Sequence, residues 1–149
     1  MVDQTVVDKD KGDCVRAAIA SMFELEIEQV PHFVLFQGDM WWTMFCSYVW
    51  GLGYELEGYY TPKERQFEPA DLINGCILAS VTSGYSGRTH AVLIDSKGVV
   101  IHDPSPCKHW LGKDVLASRK LLHWDRIIKR KATNIGWINI GDEDRSVAS

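Results

Sequence analysis

Three residue types that together make a sulfur nucleophile recur here in order: Cys14, His90 and Asp103. A thiolate attacks, an imidazole carries its proton, and a carboxylate fixes the imidazole's tautomer and steadies its charged form. Cys14 lies in Gly12-Asp13-Cys14-Val15-Arg16-Ala17-Ala18, where a turn-prone stretch becomes a helix. The first turn of a helix has unsatisfied N–H groups and a positive dipole end, which favour a thiolate and offer a donor to an oxyanion. A neighbouring carboxylate opposes thiolate formation, so Asp13 is expected to fold back as the N-cap.

His90 opens an apolar run, Thr89 to Asp95, and Asp103 closes the next, Val99 to Asp103. The link Asp95-Ser96-Lys97-Gly98 has turn chemistry, so the two runs form a hairpin. With Asp95 and Gly98 flanking the turn, Ile94 faces Val99, Val92 faces Ile101 and His90 faces Asp103. All six then share one face, and Asp95 and His102 point to the other. An acyl-transfer site also needs a second oxyanion donor. Gln4, on the arm before Cys14, can donate an uncharged amide N–H, and Asn74 is a weaker candidate.

The elements that must position these groups follow from periodicity. Val15, Ala18, Ile19, Met22 and Leu25 recur at helical spacing, which predicts a helix from Asp13 to about Leu25. Pro31 stops its continuation, and residues 28–37 suit a short helical turn. A second helix is expected from Asp39 to about Trp50, with Trp42, Phe45, Cys46 and Val49 as its apolar stripe and Gly51 and Gly53 ending it. Strands are expected over Tyr54 to Tyr60, Cys76 to Val81, the two hairpin arms, Lys120 to Ile128 and Ile135 to Ile140. Helices first and strands later indicate an α+β fold, N-terminal helices packed on an antiparallel β-sheet.

At 149 residues the chain suits a single domain with a proper core, residues 141–149 reading as a polar tail. A net charge of -4 argues against nucleic acid as the main partner. No segment approaches the ~20 apolar residues of a membrane span, and Met1-Val2-Asp3-Gln4 is not the start of a signal peptide. The four cysteines, Cys14, Cys46, Cys76 and Cys107, are widely spaced without CxxC, as expected of reduced thiols in a cytoplasm. Cys46 and Cys76 suit small buried hydrophobes. His102, Asp103, Cys107 and His109 have the residue types of a zinc site, but Pro104 and Pro106 stiffen the stretch and the spacing matches no familiar pattern. The expectation is no metal and no cofactor.

Taken in order, Gln4-Thr5, Gly12-Asp13-Cys14, Ala17-Ala18-Ile19-Ala20-Ser21, Val30-Pro31-His32-Phe33, His90-Ala91-Val92 and His102-Asp103-Pro104 resemble the papain-like cysteine peptidase superfamily. The nearer likeness is to peptidase domains that process bacteriocin leaders and to small phage and bacterial proteins of that pattern. The resemblance spans residues 4 to 106. It implies a papain-like fold, Cys14 as nucleophile, His90 as general base and acid, Asp103 as the orienting residue and Gln4 as oxyanion donor. Cleavage of a peptide, protein or amide substrate would pass through a thioester, in the cytoplasm of a bacterial or phage-infected cell. Two features depart from the pattern: Gln4 lies ten residues before Cys14, and Val15 replaces the Gly or aromatic residue that often follows the nucleophile. The same triad serves acyltransferases, and the scaffold also suits a protein-binding or inhibitory module.

Overall fold

A computed structural model of the chain describes residues 1–6, 13–35, 40–60, 67–82 and 89–130. Among these residues two α-helices, α1 (Cys14–Met22) and α2 (Met40–Gly51), precede five strands: β1 (Tyr54–Tyr59), β2 (Ile77–Thr82), β3 (Thr89–Ile94), β4 (Val100–His102) and β5 (His123–Lys129). Every strand pairing is antiparallel, and the order across the sheet is β1-β5-β2-β3-β4. The α+β architecture is therefore as expected. The expected strand at 135–140 and the tail at 141–149 lie outside the described residues.

The last strand inserts between the first two, so β2 is central and is apolar on both faces. Alternation sends Leu78, Ala91, Leu93 and Ile127 to the helix side, where they pack with Ala18, Ile19, Phe45 and Val49. Ala79, Val81, Val92, Ile94 and Val100 face the other way, onto Phe67, Trp110, Val115, Leu121 and Trp124. The alanines at 17, 18 and 20 are fully buried, and their small side chains let α1 lie close against β3. Helix α1 ends earlier than its stripe suggested: Glu24 takes a left-handed conformation (φ 57°), and the Asn74 amide donates to the Met22 carbonyl at 2.8 Å. Asn74 is thus committed to a helix end rather than to an oxyanion. Among the described residues no helix is long and apolar enough to cross a membrane.

The β3–β4 register differs from the expected one. Ile94 pairs with Val100 and Leu93 with His102, with an irregularity between the two pairs. The cause is the turn. Asp95 pairs with Val99 through Asp95 N–H to the Val99 carbonyl (2.9 Å), and its carboxylate also accepts from Lys97 N–H (2.9 Å) and Val99 N–H (3.0 Å). Gly98 is obligatory here, since its φ is +90° and a Cβ would lie 2.3 Å from Leu116 Cβ. A one-residue slip exchanges faces. Val100 is buried in place of Ile101, which is 37% exposed, and His102 turns to the helix side to meet the N-terminal arm.

Candidate active site

The N-terminal arm is a strap running past α1 and the end of β4. Val2 N–H donates to Ser21 Oγ (2.7 Å), the Val2 carbonyl meets His102 Nε2 (2.6 Å), and Gln4 N–H donates to the Pro104 carbonyl (3.0 Å). Asp13 pins the other end of the strap. Its carboxylate accepts Thr5 N–H (2.8 Å), Thr5 Oγ1–H (2.6 Å) and Val6 N–H (2.8 Å), with Arg16 Nη1 at 3.6 Å. This corrects the expected N-cap: Asp13 occupies the cap position but makes no capping hydrogen bond to the first-turn backbone. The Asp13 carboxylate is engaged by three donors of the arm and by the Arg16 guanidinium.

Cys14 is the first residue of α1, half-buried, with its N–H in the unsatisfied first turn. His90, the second residue of β3, is buried, and the Cys14 side chain is near enough to raise its pKa both as a hydrogen-bonding group and as a charge. The other contact of the ring is Nε2 to Asp103 Oδ1 at 2.7 Å, which leaves Nδ1 as the nitrogen for sulfur. Asp103, immediately after β4, is fully buried. Its Oδ1 also accepts Ser105 N–H (3.0 Å) and Ser105 Oγ–H (2.7 Å), and its Oδ2 accepts Trp110 N–H (3.0 Å). The structure thus brings Cys14, His90 and Asp103 together although the hairpin register differs from the one expected. The chain leaves the sheet after His102, and the loop to Trp110 turns the carboxylate inward.

The electrostatics follow from these bonds. Burial alone would raise the Asp103 carboxyl, but donors from His90, Trp110 and Ser105 hold it well below the usual carboxylate range. Burial alone would lower His90, but its bonds to Asp103 and Cys14 and the charges of both partners raise it to about 9. The ring is therefore cationic at neutral pH between a carboxylate and a sulfur.

Gln4 lies one residue along the strap from the arm–Asp13 contacts and beside Pro104, so the chain does bring it next to Asp103. Its side-chain Nε2 donates to its own Val6 carbonyl at 2.7 Å, leaving one amide hydrogen uncommitted to that bond. The residues of the zinc alternative diverge: His102 bonds Val2, Asp103 serves His90, Cys107 is exposed and His109 meets Trp110 edge-on. Among the described residues no three His, Cys, Asp or Glu side chains gather as a metal site, and all four cysteines are free thiols.

Sequence reasoning missed two members of the site. Ser105 and the Trp110 N–H act on Asp103 through a loop whose path no periodicity encodes. A second histidine–aspartate pair was also missed, His123 and Asp125, whose i, i+2 spacing within an expected strand places both on one face. No protein-family model, curated protein or solved structure matches this chain.

Proposed function

We propose that the chain is a thiol-dependent hydrolase, a peptidase or amidase on a papain-like scaffold, working through Cys14, His90 and Asp103. The observation that carries this reading is the buried pair in which Asp103 holds His90 Nε2 at 2.7 Å, with the Cys14 side chain acting on the same ring to raise its pKa. A merely structural histidine has no need of a cationic state buried beside a half-exposed sulfur at a helix start.

The chemistry runs as follows. The thiolate of Cys14 attacks the substrate carbonyl carbon, and the carbonyl electron pair moves to oxygen. The Cys14 N–H and the second amide hydrogen of Gln4 are the donors for that oxyanion. Collapse of the adduct breaks the C–N bond, the leaving nitrogen takes the His90 proton, and a thioester remains on Cys14. His90, now neutral, takes a proton from water as that water attacks the thioester. The acid product leaves and the imidazolium–thiolate pair is restored.

The test is site-resolved alkylation with iodoacetamide, read by intact mass and peptide mapping from pH 5 to 9. Cys14 is expected to react fastest of the four cysteines, at rates that hold below pH 7, well under the ~8.5 of a free thiol. His90→Ala is expected to move that profile up toward the free-thiol value. Slow reaction of Cys14, or a profile that ignores His90→Ala, refutes the proposal. Thioester trapping by a small amine separates hydrolysis from acyl transfer.

A further inference from the structure

A second feature sits on the sheet face that α1 and Cys14 cover, opposite to the face onto which His90 alternates with Val81 and Val92. Asp125, in the middle of β5, is 4% exposed, and its Oδ1 has no hydrogen-bond partner. The nearest polar group is His123 Nε2, 3.6 Å away. Both side chains lie over Gly58 of β1, where a Cβ would come within 2.7 Å of His123 Nε2 and 3.2 Å of Asp125 Oδ1. His123 lies against two exposed aromatic rings: Tyr60 at 4.6 Å between centroids and Trp42 at 6.5 Å. A buried carboxylate oxygen without a donor is costly and rare, and it calls for a partner.

The register places this feature relative to Cys14 and His90. Ser80 of β2 pairs with His123 on one side and with Ala91 on the other. His123 and Ala91 therefore share a row and a face, two strand spacings apart, about 10 Å. Ala91 lies under α1, the helix that Cys14 opens, on the face covered by α1 and α2, while the His90 side chain alternates to the other face. One extended residue plus a long side chain spans that distance.

Resting on the hydrolase reading, we infer that His123 is a specificity-determining residue that takes a basic group of the substrate, the ammonium of a lysine-like side chain or a guanidinium. Asp125 is its positioning residue, and Trp42 and Tyr60 are the walls. A neutral imidazole whose Nε2–H points to the Asp125 carboxylate presents Nδ1 as an acceptor for a cationic N–H donor. The neighbouring aromatic rings favour a cation over an anion, and the -4 charge of the chain works in the same direction. Burial raises Asp125 to about 7 and lowers His123. Other groups facing Asp125 do not counter this. Cys46 of α2 is itself raised, first by burial and then by the Asp125 charge. The Glu57–Arg126 and Asp71–Arg126 pairs lie on the opposite face of the sheet. A bound cation therefore draws Asp125 into its ionised form and releases that proton to solvent, so cation binding strengthens as pH rises through about 7.

The experiment uses Cys14→Ala protein and two acetylated dipeptide amides differing only in lysine against norleucine, titrated by tryptophan fluorescence at pH 6 and pH 8. The lysine peptide is expected to bind about fivefold more tightly at pH 8, with a smaller advantage at pH 6. Asp125→Asn and His123→Gln are each expected to bring the ratio close to one. Tyr60→Leu, at an exposed position that leaves folding intact, is expected to cut it by about half. Equal affinities in the parent, no binding of either peptide, a pH-independent ratio, or a preference that survives Asp125→Asn each overturn the inference. Iodoacetamide labelling of Cys14 in the native chain is scored separately. A sluggish Cys14 with the lysine preference intact supports the basic-group site and sinks the hydrolase reading. A reactive Cys14 with no preference does the reverse.

Discussion

Among the described residues are two histidine–aspartate pairs, each on a buried aspartate, with the same wiring, Nε2 toward Oδ1, and opposite electrostatics. In His90–Asp103 the atoms are 2.7 Å apart, the carboxylate is held ionised and the imidazole is raised to about 9. In His123–Asp125 they are 3.6 Å apart, the carboxyl is pushed up to about 7 and the imidazole is lowered. Both aspartates are buried, so burial does not decide the charge. Donors decide it. Asp103 stands at the end of a short edge strand, where the following loop is free to aim Ser105 and Trp110 N–H groups at it. Asp125 stands mid-strand between β1 and β2, paired with Gly58 and Leu78, where the backbone N–H groups belong to the ladder. One pair is thereby built to hold charge, and the other to acquire it.

The largest effect that breaks this comparison comes from making the same substitution in both pairs. Asp103→Asn leaves the His90 cation without its carboxylate. It is expected to lower thermal stability by about 3 kcal/mol, and to slow alkylation of Cys14 near neutral pH by at least about tenfold. Asp125→Asn removes a carboxyl that resists ionising where it is buried. At pH 8 it is expected to stabilise the protein by about 1–2 kcal/mol, with little change at pH 4. Urea unfolding of both variants at the two pH values reads this directly. A loss of stability for Asp125→Asn at pH 8 would mean that the carboxylate has donors after all.

The pH dependence of the native chain is the next largest effect. His90 has a folded pKa above its unfolded value, so its stabilising contribution is fully present below about 6.5 and is lost as pH rises to about 9. Asp125 is also raised, so the folded state binds its proton more tightly and stability falls as pH climbs from about 4 to about 7. Asp103 is lowered, so its contribution is present above about 4 and is lost only in strong acid. Unfolding midpoints measured from pH 4 to 9.5 should fall in two steps. Asp125→Asn should erase the first, and His90→Gln the second.

Smaller changes sharpen the role of donors. Ser105→Ala removes one of the bonds to Asp103 and is expected to cost about 1–2 kcal/mol. It should also raise the His90 pKa, followed by NMR of the ring protons, because Asp103 Oδ1 then loses a donor that competes with the imidazolium. An unchanged His90 titration would place the control of Asp103 elsewhere. Smallest of all, Ile101→Thr should change stability by less than about 0.5 kcal/mol, whereas Val100→Thr should cost about 1–2 kcal/mol by burying an unpaired hydroxyl. The reverse order would restore the simpler hairpin register.

Local chemistry made much of the site legible. A turn-prone stretch followed by Asp13 and an alanine-rich run is enough to start a helix at Cys14. Apolar runs flanking Asp95-Ser96-Lys97-Gly98 are enough for a hairpin that carries His90 and Asp103 toward each other. The register was not legible, because Asp95 accepts from both Lys97 and Val99, and that side-chain choice moves the pairing by one residue. Asp13 was read as a cap because its position is that of a cap. Its actual donors, Thr5 and Val6, approach only once the arm has folded back.

By itself, then, the amino-acid order determined the elements, the antiparallel α+β class and the three residues able to make a nucleophile, because each depends on neighbours within a few positions. Only the tertiary structure decided the charge states. The sheet order that slots β5 between β1 and β2, the loop that turns Ser105 and Trp110 onto Asp103, and the strap that draws off the Asp13 carboxylate all join residues far apart in the chain. Charge in a buried site depends on which donors surround it, and that is a property of the assembled fold.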